Sequence, residues 1–371
     1  MGRFGRRCAN CARQAVHAEA TALCLLGVLT AGGCHRAAGR DAPAAAAPVS
    51  GEQGRAGANA SAFSDATFAR ADRLVTIGDR RLNLHCMGAG SPVIVLEAGL
   101  GGDSSGWVRV QPRLAEVTRV CAYDRAGYYF SDSGATPRTA DAAVADLHAL
   151  LAEASIHAPI VLVGHSLGGL LARLYAATYP ADIVGMILLD PVTDGADDAR
   201  AHYDIDPSEE DPLFVRCLAA TKSGTITTDP KLKEDCIGSP DARLSPELNA
   251  AQAAAAARVS TWETMLSEGR EMRSGRTGAR VRAAGEKLEN LPLLVVTKGR
   301  MRVPSGNEAK VAEEFFGRAV LRHAELAGRS RRGLHLVARS GHQIHMDDPD
   351  TVVAAVQAVL RAYRENRGVM P

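Results

Sequence analysis

The segment Ile160-Val-Leu-Val-Gly164-His165-Ser166-Leu167-Gly168-Gly169 constrains this chain more than any other. An apolar run leads into a serine bracketed by glycines, and Leu167, Leu170, Leu171, Leu174, Tyr175 and Thr178 then recur at helical spacing up to Pro180. This pattern predicts a buried strand, a tight turn with Ser166 at its apex, and a helix that packs back on the strand. Glycines allow a turn that a Cβ would obstruct, and the start of the helix aims backbone N–H groups toward the serine hydroxyl. A G-x-S-x-G string alone is a weak signal, but the strand before it and the helix after it are the context that gives it chemical meaning.

Further short apolar runs bounded by turn residues occur at Leu74–Ile77, Leu82–Cys86, Val93–Glu97, Val120–Tyr123, Met186–Leu189, Leu293–Thr297 and Leu334–Val337. With Ile160–Val163 they predict eight strands. Gly78-Asp79 joins the first two as a hairpin, whereas later strands are separated by helical patterns such as Ala140–Ala154, with Val144, Leu147, Leu150 and Leu151 on one face. Alternating strands and helices imply an α/β fold with a mostly parallel sheet flanked by helices on both faces. Residues 191–290 break the alternation. They are acidic at first, Ala-rich over Ala250–Ala257, and lack a convincing buried strand. A helical cap inserted after strand six is the simplest reading, anchored by Leu213, Phe214, Val215, Trp262, Met265 and Leu266.

The chain begins differently. Arg3, Arg6, Arg7 and Arg13 precede an apolar stretch over Ala20–Ala31 that is too short to span a bilayer, the pattern of a signal peptide. Thr30-Ala31-Gly32-Gly33-Cys34 loosely matches a bacterial lipoprotein cleavage box, with Ala31 where leucine is usual, so Cys34 is a candidate for lipidation and a membrane tether. An Ala-, Pro- and Gly-rich stretch with few large apolar side chains follows. The expected organisation is therefore a signal peptide over 1–34, a disordered linker over 35–68, a core built from 69–190 and 291–371, and the cap over 191–290. The expected location is exported: periplasmic, anchored as a lipoprotein, or secreted. A net charge of +1, with both signs interspersed, gives no electrostatic case for nucleic acid. Beyond the signal segment and Cys34, the cysteines are Cys86, Cys121, Cys217 and Cys236. An even number in an oxidising compartment fits two disulfides, while Cys86 and Cys121 also read as small buried apolar residues. A Cys217–Cys236 bridge would staple a cap poor in apolar side chains.

A serine hydroxyl is a poor nucleophile at neutral pH and needs a base, which in turn needs a group that fixes its tautomer. Ser340-Gly341-His342 follows the last expected strand, so its loop opens at the same sheet edge as Ser166 and makes His342 the candidate base. His342-x-x-His345 as a metal pair lacks an evident third ligand. The acid is harder to place. Lys298-Gly-Arg-Met-Arg-Val-Pro304, after strand seven, contains no carboxylate. Asp190 ends strand six and keeps the chain order Ser, Asp, His, with Glu308 and Asp194 as alternatives. Glu97-Ala98-Gly99-Leu100-Gly101-Gly102 closes strand three in a loop that can offer the Leu100 N–H opposite that of Leu167, a pair suited to an oxyanion.

These residues resemble the α/β-hydrolase family, in particular its bacterial exported serine hydrolases. The likeness covers most of residues 74–365 apart from the cap. It rests on Leu96-Glu97-Ala98-Gly99-Leu100-Gly101 with Trp107, Tyr123-Asp124-Arg125-Ala126-Gly127-Tyr128, the Ser166 turn and Ser340-Gly341-His342. The resemblance implies Ser166 as nucleophile, His342 as base, and the Leu100 and Leu167 amides as oxyanion donors. An acid after strand six, as found in some members, would be Asp190. It also implies that strands two and four are neighbours, which brings Cys86 toward Cys121. Arg125 and Asp124 read as structural charges satisfied locally. Two features depart from the family pattern: the missing acid after strand seven, and Tyr129-Phe130 where relatives often carry Gly-Trp. The expected activity is cleavage of a small-molecule ester or related acyl bond through an acyl-enzyme, with no metal or organic cofactor. A serine at the turn argues against the aspartate chemistry of dehalogenases and epoxide hydrolases. Peptidase or thioesterase action, or a catalytically silent binding protein, are the alternatives.

Overall fold

Val93–Glu97, Val120–Tyr123 and Ile160–His165 are buried at every position, as strands covered on both faces must be. The computed structural model describes residues 64–193, 210–300 and 307–370, with side chains at 307–312 left out. The expected signal segment with Cys34, most of the linker, Asp194 and the side chain of Glu308 lie outside the described residues.

The eight expected strands form one sheet in the order β1-β2-β4-β3-β5-β6-β7-β8. They are β1 (Arg73–Ile77), β2 (Arg80–Met87), β3 (Val93–Glu97), β4 (Val120–Tyr123), β5 (Ile160–His165), β6 (Ile183–Leu189), β7 (Leu293–Thr297) and β8 (Gly333–Val337). β1 and β2 pair antiparallel, as do β2 and β4, and the remaining ladders are parallel. Because side chains alternate along a strand, each central strand feeds two cores. Val93, Val95, Leu162, Leu188 and Val295 pack against α2 (Ala140–Glu153) and α3 (Leu167–Thr178). Ile94, Leu96, Val163, Ile187 and Val296 pack on the other face with α1 (Gln111–Ala115) and the C-terminal helix. The sheet is thus the middle layer of three.

Between β6 and β7 the chain forms the cap: α4 (Pro212–Ser223), α5 (Pro230–Cys236), α6 (Pro246–Ala256), α7 (Val259–Arg273) and α8 (Arg276–Ala284). After β7 come α9 (Asn307–Gly328), then β8, α10 (Ile344–Asp347) and α11 (Pro349–Arg364). Cys217, Ala220, Ile226, Cys236 and Trp262 form a small core of the cap's own, with Phe214 and Met265 packed on it. Two expected anchors are corrected: Leu213 and Val215 are 37% and 40% exposed. Helical geometry explains this, since Phe214, Cys217 and Leu218 share one face of α4 at i, i+3, i+4 spacing, and Leu213 and Val215 flank it.

The linker boundary is corrected too. Asp65–Ala69 is a 3₁₀ turn capped by Ser64, and Phe68 is buried, its ring 4.1 Å from that of His85. One large aromatic is enough to hold this short stretch on the core, so order begins before residue 68.

Both disulfides form. Cys86 and Cys121 are directly opposed in the β2–β4 ladder. Cys217–Cys236 closes a separation of 19 residues between α4 and α5. Loop-closure entropy for that length is worth about 3 kcal/mol. Replacing both cap cysteines with serine should therefore destabilise the cap by about that amount, read as a lower urea midpoint and earlier proteolysis between α4 and α5.

Candidate active site

Ser166 sits between β5 and α3 at φ 53°, ψ −120°, a backbone conformation rare for a residue with a side chain. Three hydrogen bonds hold it there. Its N–H donates to Leu189 O at 3.0 Å, and its carbonyl accepts from Gly169 and Val192, each at 3.0 Å. The close packing explains the flanking glycines: a Cβ on Gly168 would lie 2.4 Å from Glu97 O. The loop after β3 comes equally near, since a Cβ on Gly99 would lie 3.2 Å from Ser166 Cβ. The segment carrying Leu100 therefore borders the serine, while Leu167 is the first residue of α3, where backbone N–H groups have no partner within the helix.

His342 and Asp190 are brought together. His342 Nδ1 lies 2.6 Å from Asp190 Oδ2, and because a carboxylate can only accept, the imidazole donates from Nδ1 and leaves Nε2 as the basic nitrogen. Asp190 is 3% exposed and itself at φ 40°, at the end of β6. Burial would raise its pKa, but the hydrogen bond from His342 and the charge of Lys298 lower it further, so the net displacement is well below the usual carboxylate range. His165, inside the turn motif, donates from Nε2 to His342 O at 2.9 Å and pins the His342 backbone to β5. Its ring stands 4.6 Å from that of His342 and 4.5 Å from that of His345. Burial and the neighbouring His345 and His342 push His165 well below the ordinary histidine value. His345 is buried with its ring 4.7 Å from Trp107, and burial lowers its pKa to about 3. No cluster that could hold a metal ion occurs among the described residues.

Two partners were not evident in the sequence. Lys298, the first residue after β7, touches both oxygens of Asp190: its N–H lies 3.3 Å from Oδ1 and its ammonium 3.3 Å from Oδ2. Glu268, on cap helix α7, reaches 143 residues back to Arg125, accepting at 2.9 and 3.0 Å. Arg125 also donates to Glu97 at 2.7 Å, to Ala98 O at 2.6 Å and to Gly99 O at 2.7 Å. The loop beside Ser166 is thus held by a guanidinium that the cap completes. Tyr128 supports the same carboxylate, its hydroxyl 2.8 Å from Glu268 Oε2.

A profile of the alpha/beta hydrolase family matches residues 93–355, which include Ser166, Asp190 and His342. The chain belongs to that family. Among curated relatives, an uncharacterized protein of Bacillus subtilis, YqjL, is 37% identical over 107 residues, covering 29% of this chain and 42% of its own length. Lipase LipV of Mycobacterium tuberculosis is 31% identical over 172 residues, covering 44% of this chain and 64% of its own. The chain therefore spans less than two thirds of either relative. A solved structure of a putative epoxide hydrolase from Pseudomonas aeruginosa superposes with a TM-score of 0.57 at 20% identity, covering 79% of this chain and 97% of that one, a likeness of fold. Paired disulfides are characteristic of non-cytosolic proteins. No helix among the described residues is long and apolar enough to cross a membrane.

Proposed function

We propose that this hydrolase-family protein is a serine hydrolase that cleaves carboxylic esters or related acyl bonds of small molecules through an acyl-enzyme. The observation that carries the reading is the 2.6 Å His342–Asp190 hydrogen bond, which orients a basic Nε2 at the sheet edge where Ser166 is held in its strained turn. In this reading Ser166 Oγ attacks the carbonyl carbon and His342 Nε2 takes its proton. Asp190 stabilises the resulting imidazolium without itself becoming protonated. The oxyanion is received by the Leu100 and Leu167 N–H groups. His342 then returns the proton to the leaving alcohol, and water, deprotonated by the same nitrogen, releases the acid. That LipV is a lipase favours an oxygen ester over an amide.

The disulfides, together with the basic and apolar start of the chain, support export, with the segment before Cys34 removed as a signal peptide and Cys34 retained as the lipid anchor. The core then runs from the Ser64-capped turn to residue 190 and over 291–371, with the cap over 191–290.

A fluorophosphonate probe tests the chemistry. Folded wild-type protein should carry one adduct on Ser166 by peptide mass spectrometry, and Ser166→Ala should carry none and lack esterase activity. Folded protein without an adduct would instead make the chain a binding module. Chromogenic esters of graded chain length, with thioester and amide counterparts, separate the esterase reading from thioesterase and peptidase action.

A further inference from the structure

Lys298 stands just after β7, in a segment whose sequence, Lys298 to Pro304, has no carboxylate, and its positive charge faces the carboxylate that ends β6. Its side chain is 10% exposed, so the ion pair is screened by little water. The same oxygen, Asp190 Oδ2, receives both the Lys298 ammonium at 3.3 Å and His342 Nδ1 at 2.6 Å. An imidazolium at His342 would therefore share its counter-charge with a permanent cation. We propose that Lys298 is a positioning residue for this site, holding Asp190 by both oxygens and offsetting part of its charge, so that His342 stays an available base to lower pH than a lone carboxylate would allow. This rests on the serine hydrolase reading above for its meaning in catalysis, but not for its effect on His342.

Among the described residues, Lys298 is a cation in direct contact with Asp190. From β5, His165 faces the His342 ring, and from α10, His345 packs on His165; burial depresses the pKa of both, so neither carries charge at neutral pH. From α9, His323 donates from Nε2 to Pro191 O at 2.9 Å, and burial depresses it too. Its Nδ1 lies 2.7 Å from Thr297 Oγ1, which in turn lies 2.8 Å from His335 Nε2 on β8, a histidine likewise depressed by burial. Arg322 on α9 lines the crevice behind Asp190. Asp347 on α10 is 2.9 Å from Arg243 and is neutralised there.

The sign follows from charge alone. Removing the ammonium leaves Asp190 with its full attraction for an imidazolium, so the His342 pKa rises. For an opposite charge at this range the change should be about one pH unit. The acid limb of kcat/KM then moves up by the same amount, and activity on that limb falls about tenfold relative to the variant's own plateau. A residue that merely filled space would lower activity at every pH without moving the limb.

The test is a titration of the His342 imidazole by nitrogen-15 NMR in the full chain, assigned with His342→Gln, in wild type, Lys298→Met, Lys298→Gln and Lys298→Arg. The two neutral variants should titrate about one pH unit higher and the arginine variant close to wild type. Folded neutral variants that titrate within about 0.2 of wild type would overturn the proposal. So would folding of the arginine variant alone, which would make Lys298 a stability residue only. The titration needs no turnover: a shifted His342 in a protein that takes no fluorophosphonate would sink the serine hydrolase reading and leave this one standing.

Discussion

Asp190→Asn is expected to lower kcat by about 10⁴-fold, with a much smaller change in KM. An asparagine can present its amide N–H to His342 Nδ1, which favours the tautomer with the proton on Nε2 and removes the base. It also removes the charge that stabilises the imidazolium. The structural consequence is separable, because the same change leaves the Lys298 ammonium buried without its carboxylate. Circular dichroism and urea unfolding of the variant should therefore show a folded but less stable protein at pH 7. The pH dependence carries the sign: Asp190 is depressed in the folded state, so its stabilising contribution is full above the unfolded carboxylate value of about 4 and is lost as pH falls through the lower folded value. Wild type should lose stability on acidification below about pH 4, and the variant should lose less over the same window. Near-wild-type turnover in Asp190→Asn, with Glu308→Gln inactive, would move the acid to Glu308.

The sheet was legible because its strands are buried on both faces and so read as unbroken apolar runs, Ile160–Val163 and Leu293–Val296 among them. The elbow was legible because close backbone packing around Ser166 demands glycine, and glycine is visible in a sequence. The β2–β4 disulfide required knowing which strands are neighbours, information that came from family likeness and not from the spacing of Cys86 and Cys121. The face of α4 that packs was obscured by three consecutive apolar residues, of which only Phe214 is turned onto the cap's small core and partly buried. Lys298 was hidden for a different reason: a lysine after a strand reads as a solvated surface charge until the carboxylate at the end of the adjacent strand is seen to face it. Glu268 was equally hidden, since a single acidic residue in a polar helix carries no signal of a partner far away in sequence.

Arg125→Met should destabilise the protein by about 3–5 kcal/mol, because it strands Glu97 and Glu268, 2% and 4% exposed, without their counter-charge. Burial already raises the Glu97 pKa even with Arg125 in place, so without the guanidinium one of these carboxylates must take up a proton or admit water. A second consequence concerns the loop beside Ser166. The lost N–H groups hold Ala98 O and Gly99 O, and freeing those carbonyls lets the Leu100 N–H drift from the position an oxyanion would occupy. Loss of one such donor costs about 10²–10³ in kcat, so the folded fraction of the variant should also be slow. Urea unfolding gives the first quantity and active-site-titrated turnover the second. Adding Glu268→Met to Arg125→Met should recover part of the stability, since it removes one stranded charge, but none of the turnover, since the carbonyl contacts stay broken. If the double variant regained turnover as well, the loop would owe its position to the cap helix and not to the guanidinium. A stability loss below about 1 kcal/mol in the single variant would mean that the two glutamates are not jointly ionised around Arg125.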